Sequence, residues 1–386
     1  MERVSSIFSQ ILKFFPKTVF DAAVAHHHGE KHAKGMTCWS QFVALLFCHL
    51  GGAHSLREIT GGLAASEGKL RHFGIARAPT RSTLAYANEH RPWQIYREVF
   101  QQLLTVCQSD AKSLKRRFRF QHPLLSLDST LISVCVSMFD WAQYMHTKGA
   151  VKLHLVLNHQ GYLPQYAVIS DGKTADVKVA QQMEFAPGTM LVMDRGYEDH
   201  GWWRRLSLAG VYFVTRLKDS TGYAILAERE VPAGAILRDE EIALLSENNQ
   251  VDPMRLRRIE MWVEEKQDTL VFVTNHPKLA ASTIAAIYKD RWQIELFFKA
   301  IKQSLRIKTF IGTSENAVHI QIWTALIAML LLRYFQLRST WPWSLSNLIA
   351  LLRQQLFVYR DLWTWMNQPF RPPAEMDSAQ LMLGLT

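Results

Sequence analysis

Hydrophobic positions recur at helical spacing through residues 1–120, and from Pro123 onward the pattern changes to short apolar and β-branched runs. Residues 39–50 are almost wholly apolar, which indicates a buried helix. Ser55 has Glu58 three residues after it, the spacing of a capping box, and so predicts the start of the next helix. The first third of the chain is therefore predicted to be a helical domain.

Two short helices are predicted to follow around a turn that contains Gly68. Thr80 or Ser82 is expected to cap the second of them, which places Arg81 at its start. Such a pair is typical of a helix-turn-helix, whose second helix enters the major groove of DNA. A plain helical bundle is the alternative.

The segment 121–310 has the pattern of an α/β core. The expected order is β-β-β-α-β-α-β, which indicates a mixed sheet with helices packed on it. A His159-Gln160-Gly161 turn joins the second and third strands as a hairpin. The predicted strands are 124–134, 151–158, 162–170, 190–193 and 211–217, and the predicted helices are 174–184 and 200–209.

A β-rich insertion at 219–275 interrupts this order. Its expected strands are 223–231, 255–266 and 269–274. Ser282 or Thr283 is then predicted to cap one long amphipathic helix that ends near Leu305.

Residues 311–386 are predicted to form C-terminal helices at 316–337 and 344–357. Their longest apolar run, 322–332, is shorter than a bilayer span requires, so a buried helix is expected rather than a membrane segment. The N-terminal sequence has no uninterrupted apolar stretch, and no signal peptide is expected.

The chain of 386 residues has a formal net charge of +10, and its first 120 residues hold 17 Lys and Arg against 8 Asp and Glu. This concentration indicates a polyanionic partner, most simply nucleic acid. The strongest basic run surrounds Phe118, and its cations suit phosphate contact, although a solvated linker is the alternative. These cations are Lys115, Arg116, Arg117 and Arg119.

Four cysteines without a CxxC pair make a disulfide framework or a structural zinc site improbable and favour a reducing cytosol. The run His26-His27-His28, with His32, has the composition of a transition-metal site, but an exposed loop is the simpler interpretation. Cys135 is interpreted as a small core residue.

Two aspartates have unusual settings, since Asp128 lies inside an apolar strand and Asp194 ends another. A buried carboxylate needs a cation or a donor nearby. Each aspartate is also open to interpretation as a capping residue.

A third acid, Glu295, lies on the long helix. At 100° per residue it shares a sector of about 60° with Tyr288, Arg291 and Lys302. Apolar residues share this face, so it should contact the sheet, whereas a solvated ladder of ion pairs would lie on the opposite face. The geometry favours a site.

If Asp128 and Asp194 meet at one end of the sheet, the helix would bring Glu295 beside them. Three carboxylates suit Mg²⁺ or Mn²⁺, and two such ions promote in-line phosphodiester displacement. Arg291 and Lys302 would then contact flanking phosphates. The fallback ligands are Asp140, Asp171 and Asp176. Lys152 could reach DNA, but it is more simply a sheet-edge residue.

The set Asp128, Asp194 and Glu295 resembles the DDE triad of bacterial insertion-sequence transposases with a ribonuclease-H-like core. The spacing of the helix residues matches the Tyr-Arg-Glu-Lys signature of the family-four branch, and the segment around Asp194 is similar to that around the branch's second acid. The sequence of these matched segments is Tyr288-x₂-Arg291-x₃-Glu295-x₆-Lys302 and Asp194-Arg195-Gly196-Tyr197.

The resemblance implies metal-dependent cut-and-paste transposition in a bacterial cytoplasm, on the nucleoid when DNA is bound. The enzyme would cut double-stranded DNA at the terminal inverted repeats of an element and join the ends to target DNA. Two Mg²⁺ ions, or Mn²⁺, and no small-molecule cofactor are implied. The insertion would help to hold a flipped base, for which Trp262 could stack, although an ordinary strand tryptophan is the alternative. Tyr288 would orient a phosphate.

The resemblance also implies a synaptic homodimer. The C-terminal helices are candidates for its interface, or they pack on their own core. Two competing functions stay open: a domesticated copy that only binds DNA, and a ribonuclease-H-fold nuclease that cuts without strand transfer.

Overall fold

The computed structural model describes residues 5–371, apart from 32, 34, 67, 112–116, 121, 135–142, 146–147, 232–233, 246–247, 249 and 306–310. The chain divides into two compact units. One contains Met1–Leu103, Ser304–Gly312 and Asn316–Thr386, and the other contains Leu104–Gln303 and Thr313–Glu315. The N-terminal and C-terminal helical regions, which the sequence analysis separated, therefore belong to one unit.

The helices alternate with sheet strands only in the middle of the chain. In chain order they are α1 (Ile7–Leu12), α2 (Lys17–His26), α3 (Cys38–Gly51), α4 (Leu56–Ala64), α5 (Arg81–His90), α6 (Gln94–Ala111), α7 (Asp176–Ala180), α8 (His200–Leu208), α9 (Ala281–Asp290), α10 (Trp292–Ser304), α11 (Glu315–Arg338), α12 (Leu345–Gln355) and α13 (Leu362–Asn367).

The strands all belong to one sheet. They are β1 (Leu124–Val134), β2 (Gln143–Met145), β3 (Lys148–Asn158), β4 (Leu163–Asp171), β5 (Met190–Met193), β6 (Tyr212–Arg216), β7 (Tyr223–Glu228), β8 (Ile236–Leu245), β9 (Val251–Val263) and β10 (Asp268–Thr274).

The sheet is mixed. Strands β1, β3 and β4 pair antiparallel, whereas β5 pairs parallel with β1 and β6 pairs parallel with β5. The antiparallel insertion continues the same sheet, because Phe272 of β10 lies opposite Arg216 of β6 and β9, β8 and β7 follow. Three antiparallel strands followed by two parallel strands with intervening helices fit the expected ribonuclease-H-like class.

Side chains alternate between two cores, one on each face of the sheet. On one face, Leu127 and Met193 pack with Trp203 of α8. On the other, Val192 and Val214 pack with residues of α9 such as Ile284 and Ile287. Leu124, at the start of β1, also lies on the α9 face, so the even-numbered residues of β1 point towards α9.

In the helical unit, α3, α4 and α5 pack against one another. Ser55 Oγ accepts a hydrogen bond from the Glu58 N–H, which confirms Ser55 as the cap of α4. Glu58 accepts from the His54 N–H rather than from the Ser55 N–H that a capping box would use. Thr80, rather than Ser82, caps α5 through the Thr83 N–H.

Helix α11 is long and apolar enough to cross a membrane, but 94% of its most apolar 18-residue stretch is buried inside the protein. It is therefore a core helix, as the sequence predicted, and this helix packs on its own core rather than presenting an apolar interface.

The predicted long helix before Leu305 is in fact two helices, and both proposed caps are wrong. Its N-cap, Ala280, makes no side-chain hydrogen bond. The preceding turn is closed by His276, whose Nδ1 accepts from the N–H groups of Lys278 and Leu279. The break lies at Arg291, whose N–H bonds to the Tyr288 carbonyl three residues back, a local tightening of the helix.

Candidate active site

Asp128 and Asp194 come together because their strands are parallel neighbours. Leu127 of β1 lies beside Met193 of β5, so the next residue of each strand points to the α9 face at the same position. Asp194 follows β5 directly, and its Oδ1 accepts a hydrogen bond from the Gly196 N–H at 3.3 Å. Asp128 similarly accepts from the Ser129 N–H at 2.8 Å.

Glu295 reaches this site from α10, and Arg291 connects it to the strand. The guanidinium of Arg291 donates to Asp128 Oδ2 at 3.3 Å and to Glu295 Oε1 at 2.6 Å. Because α9 is held on the sheet by buried apolar residues, the helix break brings Arg291 over β1. The structure thus brings all three predicted acids to one region of the sheet.

The electrostatics of the site are those of a crowded, partly buried carboxylate cluster. Burial, and to a smaller extent the nearby Asp194 and Glu295 carboxylates, raise the pKa of Asp128 from 3.8 to about 6, while Arg291 and the Ser129 N–H act against them. A group of negative charges that burial and mutual repulsion destabilise is a setting that favours cations.

One buried polar atom at this site, Arg291 Nε, has no hydrogen-bond partner within the described part of the chain. Burial raises the pKa of Tyr197, and Asp128, Asp176 and Asp194 raise it too, while the Ser129 side chain lowers it, so the Tyr197 hydroxyl lies close to the acids. The carboxylate oxygens of Asp128, Asp194 and Glu295 are ligands that suit a hard divalent ion, whereas the Arg291 Nε–H is a donor and suits an anionic group such as a phosphate.

The three carboxylates lie farther apart than the ligand atoms that surround a single ion would. Among the described residues, only His26, His27 and Glu98 place three candidate ligand atoms within 4.8 Å of one another. The three acids could hold ions in different pairs, because a two-ion site does not need all of its ligands around each ion.

The predicted DNA-contact residues on the acid-bearing helices differ in their environments. The Tyr288 ring lies 5.1 Å from Phe272 and stacks with the Arg291 guanidinium at 5.5 Å, and burial raises its pKa. Lys302 is half-buried near the end of α10. Trp262 is half-buried on β9, where its Nε1 donates to Glu264 at 2.6 Å.

The other predicted DNA contacts are spread over both units. Arg81 and Arg119 are exposed, but Arg117 is paired with Asp290 although its side chain is 57% exposed. Lys115 and Arg116 lie outside the described residues.

The fallback acids have other partners. Asp171 accepts from the Lys173 and Thr174 N–H groups of its own loop. Asp176 accepts from Ser129 Oγ at 2.7 Å and pairs with Lys152 at 3.0 Å. Asp140 lies outside the described residues.

The histidine run forms an ordinary hydrogen-bonded cluster. His26 Nδ1 and His27 Nε2 contact Glu98 at 3.0 and 2.9 Å, and these contacts lower the pKa of Glu98. His28 is half-buried and has a positive φ of 52°, and His32 lies outside the described residues.

A buried polar group beside the acids was not predicted from the sequence; it is formed by Ser126, His159 and Asp290. A signal for it was present. Ser126 precedes Asp128 by two residues on the same strand face, and Asp290 is a carboxylate directly before Arg291.

Comparison with known proteins gives, over most of the chain, the DDE transposase family that the sequence motifs resemble. The family model "Transposase DDE domain" matches residues 119–331, and "Domain of unknown function (DUF4372)" matches residues 3–76. A Sinorhizobium fredii protein named as a transposase, y4zB, is 31% identical over 74% of this chain and 80% of its own length. A Geobacillus stearothermophilus protein named as a transposase of insertion sequence element IS5377 is 29% identical over 66% of each chain.

Among solved structures, the piggyBac transposase in a synaptic complex with hairpin DNA aligns with 95% of this chain and 82% of its own, at 8% identity and a TM-score of 0.46. The family match itself rests on the sequence comparisons, in which the DDE model covers more than half of the chain. The chain therefore belongs to the DDE transposases, enzymes of bacterial insertion sequences that depend on divalent metal ions.

Proposed function

We propose that this transposase cuts DNA at the ends of its element and joins them to target DNA with Asp128, Asp194 and Glu295 as its catalytic acids. The observation that carries the proposal is the contact of Arg291 with both Asp128 and Glu295, beside a neighbouring Asp194. The Tyr-Arg-Glu-Lys spacing of the helix supports membership of the family-four branch.

The acids would hold two Mg²⁺ ions, or Mn²⁺, because carboxylate oxygens are the ligands these ions prefer. When bound, such ions activate the attacking oxygen and stabilise the leaving oxygen of the phosphodiester. Asp128 would contact both ions, and Asp194 and Glu295 one each.

The chain's own cations would position the DNA. Arg291 pairs with both Asp128 and Glu295, and ions on those acids would free its guanidinium to pair with a phosphate beside the scissile bond. Lys302 would hold a second phosphate, and Tyr288 would orient the strand between them. Trp262 would stack on a flipped base in the insertion.

The DNA partners would be the terminal inverted repeats and the target duplex. Exposed Arg81 and Arg119 and the basic run with Lys115, Arg116 and Arg117 would contribute phosphate contacts. The active assembly would be a synaptic homodimer in the bacterial cytoplasm, associated with the nucleoid when DNA is bound.

The test is cleavage of DNA that carries the element end, with Asp128→Asn, Asp194→Asn and Glu295→Gln. Each variant should lose roughly a hundredfold or more of the cleavage rate while binding the DNA end nearly as well as the wild type. Asp268→Asn, at an exposed acid of β10, is the matched control and should cleave normally.

Full activity in any of the three would remove that residue from the catalytic set. Binding of the end without Mg²⁺-dependent nicking by the wild type would favour a domesticated DNA-binding protein. Nicking without strand transfer would favour a nuclease.

A further inference from the structure

A row of three buried polar side chains runs from β1 to the end of α9. Ser126 Oγ lies 2.6 Å from His159 Nε2, and His159 Nδ1 lies 2.5 Å from Asp290 Oδ2. Because a carboxylate only accepts hydrogen bonds, Nδ1 is the ring nitrogen that carries a proton here. The row uses both nitrogens of the ring and therefore sets its orientation.

Two more side chains complete the pairing of Asp290. Arg117 forms an ion pair with this carboxylate, and the Tyr162 hydroxyl donates to it at 3.2 Å. The side chains of Asp290 and His159 are only 1% and 5% exposed. Leaving either buried group unpaired would be costly, so the fit of the partners specifies the positions of the segments that carry them.

Two of those segments carry or adjoin two of the proposed catalytic acids, Asp128 and Glu295. Ser126 precedes Asp128 by two residues on the same face of β1, and Asp290 directly precedes Arg291, which contacts Asp128 and Glu295. His159, from the turn after β3, is the bridge between the strand and the helix junction.

A Ser-His-Asp row is also the arrangement of a hydrolytic triad. Ser126 is 0% exposed, however, so a substrate has no access to its hydroxyl. The row is suited to a positioning role and not to nucleophilic attack.

Apolar packing alone would fix the position of α9 less precisely than the hydrogen-bonded row does. The core between α9 and the sheet is apolar, with Ile284 and Ile287 on the helix and Phe272 on β10, and apolar contacts have little directional preference. Hydrogen bonds lose strength steeply when their angles change, so a directional row resists sliding or rotation of the helix that apolar packing would permit.

We propose that His159 is a positioning residue, which fixes the α9–α10 junction on β1 through Ser126 and Asp290 and so sets the separation of Asp128 and Glu295. The inference rests on the proposed function, since it concerns the same acids. It adds three residues that touch neither DNA nor metal ions.

The experiment compares Ser126→Ala with Ser170→Ala. Ser170 Oγ forms an equivalent bond to the buried His154, at 2.8 Å, between β3 and β4, away from α9, and is therefore the matched control. The readouts are hydrogen exchange of the α9 and α10 amides, the melting temperature, binding of the DNA end and the rate of cleavage.

Ser126→Ala should speed exchange in α9 and α10 and lower the cleavage rate by about 10- to 100-fold, with DNA-end binding unchanged. Ser170→Ala should change neither exchange in those helices nor cleavage. Asp290→Asn, which keeps an acceptor for His159, should recover much of the cleavage that Asp290→Ala loses.

Unchanged α10 exchange and cleavage in Ser126→Ala would overturn the inference, as would equal losses in both serine variants. If Ser126→Ala does not fold, the Asp290 pair decides, and equal cleavage by its two members would overturn the inference. Hydrogen exchange does not need an active enzyme, so faster exchange with an inactive wild type would indicate failure of the proposed function and not of the positioning role.

Discussion

At the scale of single residues, the candidate site places ionisable carboxylates in a partly buried environment that disfavours their charged form. Asp128 is largely buried, and two further carboxylates lie near it. Arg291 compensates with one guanidinium for two acids, which a lysine could not do with the same geometry. Such a site is less stable empty than filled, because a bound cation removes the repulsion.

This arrangement predicts a gain in stability from loss of the Asp128 charge. Without metal ions at pH 7, Asp128→Asn should raise the free energy of unfolding of the core by about 1–3 kcal/mol. The pKa of Asp128 is about 6 in the folded protein against 3.8 for the free group, so stability should fall as pH rises from about 4 to 6, and the full loss should be present above pH 6. The measurement is urea unfolding in EDTA between pH 4 and 8.

The gain should shrink below pH 6 and be absent below about pH 4, where the carboxyl is protonated in both states. Asp268→Asn, which removes an exposed charge from the same sheet, should show no such pH dependence. A constant difference between Asp128→Asn and the wild type at every pH would mean that packing, not charge, is responsible.

At the scale of elements, strands with clear alternation and helices with clear apolar faces were predictable, and elements stabilised by ion pairs were not. Strand β8 was missed because Asp239 and Glu240 give it a polar sequence. In the structure these acids are buried against Arg257 and Arg258 of β9, the latter at 2.8 Å. Such pairing depends on a neighbouring strand and leaves no periodic signal.

The residues of the candidate site also divide into those that could be predicted from the sequence and those that could not. Arg291 and Glu295 lie within one sequence segment, so their proximity could be predicted from their spacing. The break at Arg291, which places Tyr288 on α9 and Lys302 on α10, could not be predicted in this way. The row of Ser126, His159 and Asp290 joins three distant segments, and only the folded sheet brings them together.

The contact between α3 and α11 allows a prediction at this scale. His49 of α3 is fully buried and is hydrogen-bonded to Thr324 of α11 at 2.9 Å. Burial lowers the pKa of His49 from 6.5 to about 4. The folded state therefore opposes protonation, and stability should fall by about 3 kcal/mol as pH decreases from 6.5 to 4. His49→Gln should lose this part of the pH dependence in thermal unfolding.

His72→Gln, at an exposed histidine of the same unit, is the control and should keep the wild-type slope. If His49→Gln and the wild type lose stability equally on acidification, the buried imidazole is not the cause.

At the scale of the whole molecule, the charge is divided unequally along the chain. The first 120 residues carry most of the net charge of +10, and the acids proposed for chemistry lie outside them, although residues 104–120 belong to the unit that contains the sheet. DNA binding and cleavage should therefore be separable by mutation.

This separation predicts complementation between two defective proteins if the synaptic homodimer cuts in trans. Glu295→Gln should bind DNA ends without cutting, and Arg81→Ala combined with Arg119→Ala should weaken end binding through lost phosphate contacts. A mixture should regain cleavage that neither protein shows alone, measured on labelled element ends. A mixture as inactive as its components would indicate that each subunit cuts the end it binds.

The pairing of Phe272 with Arg216 bears on how this enzyme could be shortened. The chain between those two positions forms β7, β8, β9 and the start of β10 at one edge of the sheet, and its two ends are adjacent. Its removal would therefore create a gap that a tight two-residue turn can close. A miniaturised transposase built this way would keep the strands that carry Asp128 and Asp194 and lose the Trp262 region. Its behaviour would report what the excised part contributes to handling DNA ends.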